Sequence, residues 1–255
     1  MQRSMSNPDS SGTAQLWFLA TGSFDQPAVA QPWLERLEPH ERSRYQACQT
    51  AAARRDYLGT RALARTALAH YSGQPAECLR FGTDQHARPE LTWPAIPRLF
   101  FSLSNTAQLA VGLFAYDHNV GVDVEFMAPI GVMEIAGCSF SKEELAELST
   151  LGESARQSRF YQLWTLREAY LKARGVGLTL PLEQIAFRPL PSGKAQATFG
   201  PAIRDDPAHW QFGLTQITAH HLVATCIRRP SSAPPLQFVR VDALAMAAEI
   251  TSGQH

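Results

Sequence analysis

Leu163-Trp164-Thr165-Leu166-Arg167-Glu168-Ala169-Tyr170-Leu171-Lys172-Ala173 has the spacing of a helix. Leu163, Leu166, Tyr170 and Ala173 recur at intervals of three and four, which makes an apolar stripe. Trp164, Glu168 and Lys172 stand at i, i+4 and i+8, so they share a second strip of the same surface. Gly175, following Lys172 and Arg174, is the stop signal such a helix uses, and the spacing predicts a helix over about 155–174. Some forty residues upstream, Val120-Gly121-Val122-Asp123-Val124-Glu125 alternates like a strand. Its two acids share one face, ~7 Å apart at the backbone, and its valines face the core. Taken separately, each motif is ordinary: a half-buried strand with a wet side, and a Glu168–Lys172 pair worth a few tenths of a kcal/mol. If the fold brings them together, three carboxylates repel unless a proton or a cation intervenes. Carboxylate oxygens suit Mg²⁺, which would leave Lys172 to meet a phosphate that the metal also holds.

Outward from these motifs the chain alternates helices with runs of strands. Leu16–Ala20 reads as a first strand, with turn residues over Thr21–Pro27. A long helical segment runs from about Glu38 to Tyr71, interrupted near Cys48, with Leu63, Ala67 and Tyr71 on one face and Arg54, Arg61 and Arg65 on another. Gly73 and Pro75 end it. A proline-rich connection (Pro89, Pro94, Pro97) leads to three β runs, Leu99–Leu103, Leu109–Tyr116 and Val120–Glu125. Short polar links, Ser104–Gln108 and Asp117–Asn119, suggest an antiparallel meander. Ser141 followed by glutamates starts a helix to about Leu151. Beyond the Trp164 helix, strands are expected at Gln184–Arg188, Ala195–Phe199, Trp210–Thr215 and His221–Arg228, the last opened by His220-His221.

This order, helix then strands and again helix then strands, implies an α+β protein of two similar packed subdomains. The expected divisions are a disordered tail over 1–14, an N-terminal subdomain over 15–122, a C-terminal subdomain over 123–229 carrying the metal ligands, and a linker and tail over 230–255. Lysine plus arginine (23) equals aspartate plus glutamate (23), so no global field favours nucleic acid or an anionic membrane. Any anion site has to be local. The four cysteines lack CxxC spacing, which argues against zinc or a disulfide framework. Without an apolar leader or a spanning run, the expectation is a cytoplasmic protein. GxxxxGK(S/T), GxGxxG and GxSxG are all absent from the sequence, so a P-loop, a dinucleotide fold and a serine hydrolase are not indicated.

The turn expected over Ser102–Thr106 offers hydroxyls, an amide and backbone N–H groups that can cradle phosphate oxygens, though hairpin links without ligands look the same. Arg88 and the cluster Arg54, Arg55 and Arg61 add local positive charge. Taken together, these motifs resemble the 4′-phosphopantetheinyl transferases, in their surfactin-type branch. Gly121–Glu125 and Trp164–Lys172 look like that family's paired signature, Phe101–Thr106 like a third motif, Arg88-Pro89 like its Lys-Pro, and Arg42–Arg65 like its basic helix. Gly175–Leu182 matches the run that follows the lysine. The resemblance covers about residues 38–190.

It implies two α/β subdomains related by a pseudo-twofold, with coenzyme A in the cleft between them. The reaction it implies is transfer of phosphopantetheine to a serine of an acyl or peptidyl carrier protein by a monomeric, Mg²⁺-dependent enzyme. By the same resemblance Asp123, Glu125 and Glu168 would hold the metal and Glu168 would be the candidate base. Lys172 would neutralise a phosphate, and Arg55, Arg88, Ser104 and Asn105 would bind the nucleotide end. Asn105 departs from a frequent histidine and brings no positive charge. Arg88 and Arg167 replace frequent lysines, keeping charge but changing shape. A different magnesium enzyme acting on a pyrophosphate, or a non-catalytic carrier-binding relative, would share much of this pattern.

Overall fold

The computed structural model describes residues 13–83, 89–230 and 237–242. The chain opens with β1 (Thr13–Ala20), then α1 (Pro27–Glu35), α2 (Pro39–Ala47) and α3 (Ala51–Ser72). The expected helix over 38–71 is thus two helices, and the break falls at Cys48, whose backbone is extended. Glu38 and Glu41 form a reciprocal capping box at the start of α2. Thr50 restarts the helix by accepting from Ala53 N at 3.0 Å. α1 was not foreseen, because Pro27 opens it and Pro32 lies inside it, and proline in a sequence normally signals the end of a helix.

β2 (Arg80–Thr83) and β3 (Pro89–Trp93) pair antiparallel where the sequence suggested only a connection. Arg88 falls in 84–88, outside the described residues. β4 (Leu99–Thr106), β5 (Leu109–Tyr116) and β6 (Val120–Phe126) follow, then α4 (Val132–Ala136), also unforeseen, α5 (Lys142–Thr150) and α6 (Glu153–Arg174). The chain continues with β7 (Ile185–Pro189), β8 (Lys194–Phe199), β9 (Trp210–Gln216), β10 (His221–Arg228) and β11 (Gln237–Asp242). No helix among the described residues is long and apolar enough to cross a membrane.

The strands form one sheet in the order β11-β1-β5-β4 and a second in the order β6-β10-β9-β8-β7. The expected meander is right for β4–β5 and wrong for β6, which pairs with β10 instead. On its other edge β6 meets β4 without a ladder, because the Ser102 hydroxyl takes the Val122 N–H at 3.1 Å. β6 lies wholly in the second sheet and so spans the expected division at 122/123. The region expected as a linker and tail contributes β11, which adds to the first sheet in parallel with β1. Of the expected disordered tail, residues 1–12 lie outside the described residues, while Thr13 and Ala14 already belong to β1.

The two halves share one order: a strand, a long helix, then later strands of which the last returns beside the first. This gives β1-β5-β4 in one half and β6-β10-β9 in the other. α3 covers the first sheet through Leu58, Leu63, Ala67 and Leu68, which pack with Trp17, Leu19 and Phe114. α6 covers the second through Leu163, Leu166, Ala169 and Tyr170, with Phe187, Trp210 and Phe212. Between the sheets lies a third core, in which Val120, Val122 and Val124 meet Leu16, Val111, Leu113 and Val223. β5 and β10 are therefore buried on both faces, and so read as unbroken apolar runs.

Candidate active site

Gly121 sets the geometry of the site. A Cβ there would overlap the carbonyl oxygen of Ala169 and press on Ala173, so only glycine lets β6 lie directly on α6. Asp123 and Glu125, two and four residues further on, share that face and point toward α6. Lys172 Nζ donates to Asp123 Oδ1 at 2.7 Å and to Ser104 Oγ at 2.8 Å, and Ser104 Oγ donates to Asp123 Oδ1 at 2.9 Å. Trp164 Nε1 donates to Glu125 Oε1 at 3.1 Å. The helical strip read from the sequence therefore does meet the acidic face of the strand, and β4 supplies a hydroxyl where they join.

Electrostatics at this junction are unbalanced toward negative charge. Burial pushes the Glu125 carboxyl up to about 7, helped by the Asp123 charge, while the Trp164 hydrogen bond and Lys172 oppose the rise. Glu168 is also raised, first by burial and then by Asp123, with Lys172 and Arg167 pulling the other way. Asp123 Oδ2 is buried without a hydrogen-bond partner. A buried carboxylate oxygen left open beside two acids whose proton affinity burial raises is a set of hard oxygens suited to a divalent cation. As the side chains stand, no three His, Cys, Asp or Glu groups among the described residues converge into a formed metal site.

A cavity of about 980 Å³, walled by both halves, opens next to this junction through Asn105 and Phe126, the chain neighbours of Ser104 and Glu125, while the acids themselves do not line it. Arg55, Asp56 and Tyr57 of α3, Asn105 of β4 and the turn Ala107–Gln108 form one side, and Phe126, Thr218 and His221 the other. Ser104 and Asn105 are neighbours on a strand, so they point oppositely: Ser104 toward Asp123 and Lys172, Asn105 into the cavity. The expected phosphate-cradling turn at 102–106 is strand instead, with alternate amides paired to β5, and the turn proper is Ala107–Gln108 with φ of 28° and 74°. Arg55 is held by Asp56 at 3.0 Å and Asp25 at 3.2 Å. Arg61 and Arg65 turn inward to Glu41, at 3.7 Å and 2.5 Å, so this part of the basic helix is a buried ion cluster with no face toward the cavity.

Two residues of this site were not singled out. Asp56 is buried, takes the Gln108 N–H at 3.3 Å and the Thr21 hydroxyl, and so ties α3 to two turns. A lone acid among arginines on a helix was the available signal. His221 was read only as opening a strand; it does, but it also reaches the Ala107 carbonyl at 2.9 Å.

Comparison with known proteins agrees with the motifs. A profile of the family ACPS, 4′-phosphopantetheinyl transferase superfamily, matches residues 119–226. The chain is 30% identical over 182 residues to the 4′-phosphopantetheinyl transferase HetI of Nostoc sp. (strain PCC 7120), covering 70% of this chain and 76% of that one. It is 32% identical over 110 residues to the transferase Sfp of Bacillus subtilis (strain 168), covering 43% and 47%. To the mouse L-aminoadipate-semialdehyde dehydrogenase-phosphopantetheinyl transferase it is 25% identical over 232 residues, covering 84% and 74%. A crystal structure of the holo-acyl-carrier-protein synthase of Neisseria meningitidis matches with a TM-score of 0.33 and 19% identity, over 43% of this chain and 95% of that one. The chain belongs to the 4′-phosphopantetheinyl transferase superfamily, in its Sfp-type branch, and is an enzyme of that class.

Proposed function

We propose that this enzyme transfers the 4′-phosphopantetheine of coenzyme A to a serine of an apo acyl or peptidyl carrier protein, releasing adenosine 3′,5′-bisphosphate. The observation that carries the proposal is the Asp123–Lys172–Ser104 junction, where a buried carboxylate oxygen without a hydrogen-bond partner and an ammonium stand side by side, one residue along β4 from Asn105 in the wall of the cavity. A pyrophosphate laid there would meet both a cation and oxygen donors for a second one. Asp123, Glu125 and Glu168 would hold Mg²⁺, which supplies charge neutralisation at the pyrophosphate oxygens.

The chain's own groups then have distinct tasks. The carrier serine oxygen forms a bond to the phosphorus nearer the pantetheine, and the bridging P–O bond on its far side breaks. The serine proton passes to Glu168, directly or through water, and the electron pair of the broken bond leaves on the nucleotide phosphate. Lys172, anchored by Ser104 and Asp123, faces the charge that grows on that leaving oxygen. Arg55 and Asn105 line the cavity where the nucleotide end would lie, and Arg88 joins them by resemblance. Trp164 keeps Glu125 in one rotamer and so positions a ligand without touching substrate.

Mass spectrometry of an apo carrier protein incubated with coenzyme A and Mg²⁺ tests the proposal. One added phosphopantetheine per carrier is expected across at least one carrier type. Consumption of coenzyme A without any carrier present would point to another pyrophosphate-cleaving activity, and a carrier bound but unchanged in mass to a non-catalytic relative.

A further inference from the structure

His221 joins three parts of the molecule. Its backbone opens β10 opposite Phe126, the residue after Glu125, and its ring packs edge-on to the Phe126 ring at 5.2 Å between centroids. Its Nε2 lies 2.9 Å from the Ala107 carbonyl in the other half, and its Nδ1 2.7 Å from Thr218 Oγ1. A carbonyl only accepts, so Nε2 carries the proton that meets it, and Nδ1 bonds the Thr218 hydroxyl. That hydroxyl in turn accepts the backbone N–H groups of His220 and His221 at 3.2 Å. The ring's orientation is thus fixed from behind.

The turn that His221 holds needs holding. Ala107 and Gln108 both have left-handed φ, a conformation that side chains with a Cβ adopt at a cost. It is clasped on its own side by Thr21 N to Gln108 O at 2.8 Å and by Gln108 N to Asp56 Oδ2 at 3.3 Å. His221 supplies the clasp from the opposite half. The turn, Asn105, Asp56 and His221 wall the same cavity, so this hydrogen bond runs from one wall to the other.

We propose that His221 is a positioning residue for coenzyme A: by donating to the Ala107 carbonyl it fixes the β4–β5 turn and so the width of the cavity between the halves. The proposal rests on the reading of that cavity as the coenzyme A site. Its test uses the full chain with His221→Ala, His221→Phe and His221→Gln. Glutamine can still donate to the carbonyl, whereas phenylalanine keeps the ring packing on Phe126 and lacks the donor.

Hydrogen–deuterium exchange at residues 106–109, which needs no ligand, should speed up about tenfold in the alanine and phenylalanine proteins and stay near wild type in glutamine. The KM for coenzyme A should rise about five- to tenfold in the same two proteins, with kcat within about twofold and glutamine again restored. Phenylalanine behaving as wild type, glutamine behaving as alanine, unchanged exchange, or a fall confined to kcat would each overturn it. A wild-type protein with no activity toward coenzyme A would instead sink the functional reading, while the exchange data would still decide the clasp.

Discussion

The two halves of the molecule solve one structural problem identically and then diverge. In each, a glutamate at the third position of a short capped helix pairs with an arginine eight residues before the left-handed glycine that ends the long helix. These are Glu41 with Arg65 before Gly73, and Glu144 with Arg167 before Gly175. Each arginine also lies over a phenylalanine of the first strand beyond its helix, Phe81 at 4.6 Å and Phe187 at 5.8 Å. Both pairs are almost fully buried.

Counted from the same glycines, the positions of Glu168 and Lys172 are held in the first half by Thr66 and His70. Trp17 and Leu19 on β1 face α3 where Asp123 and Glu125 on β6 face α6. One half filled this space with apolar and aromatic groups; the other left carboxylates in it. Buried acids with raised proton affinity weaken a fold, so their retention in one half only is a mark of chemistry rather than of architecture.

The largest expected effect exposes that asymmetry. Glu168→Gln should lower the rate of carrier modification by about 10²–10³-fold, the scale of losing a group that acts at the reacting centre, while Thr66→Ala leaves it nearly unchanged. Comparable losses from both would mean that the strip on α6 contributes packing alone. Next come the two clasps. Arg65→Leu and Arg167→Leu each strand a buried glutamate and should destabilise by about 3–5 kcal/mol in denaturant unfolding, alike in the two halves. A large loss in one and none in the other would show that the likeness is only one of placement.

The smallest effect is one of pH. Glu125 binds its proton more tightly folded than unfolded, so the metal-free protein should lose stability as pH rises from about 4.5 to about 7. Glu125→Gln removes that dependence, so it should stabilise the metal-free protein at pH 8 by about 1–2 kcal/mol after solvent screening and have little effect at pH 4.5. No difference between the two pH values would mean that this carboxylate feels neither burial nor its neighbours.

How much of this was legible beforehand follows from where the information sits. The Trp164 helix and the β6 alternation were readable because periodicity is local, and single residues mark helix ends, Gly175 closing α6 and Ser141 opening α5. The route of β6 was not readable. Its valines specify a buried face, but not which neighbouring strand takes its hydrogen bonds, and a side chain, Ser102, settles that on one edge. The opposite directions of Ser104 and Asn105 were missed because β4 runs on to Thr106, so residues read as a turn alternate as a strand. His221 and Asp56 act across more than fifty residues of sequence, which no local pattern records.

The account depends on Asp123, Glu125 and Glu168 gathering about a single hard ion in the cleft. Titrating Mn²⁺ into the protein with coenzyme A present, followed by water proton relaxation, reads that directly. The expected result is one tightly held ion per chain in the wild type, lost in Asp123→Ala and in Glu168→Ala and kept in His70→Asn. An ion bound equally well without Asp123 and Glu168, or no ion bound at all, would contradict it.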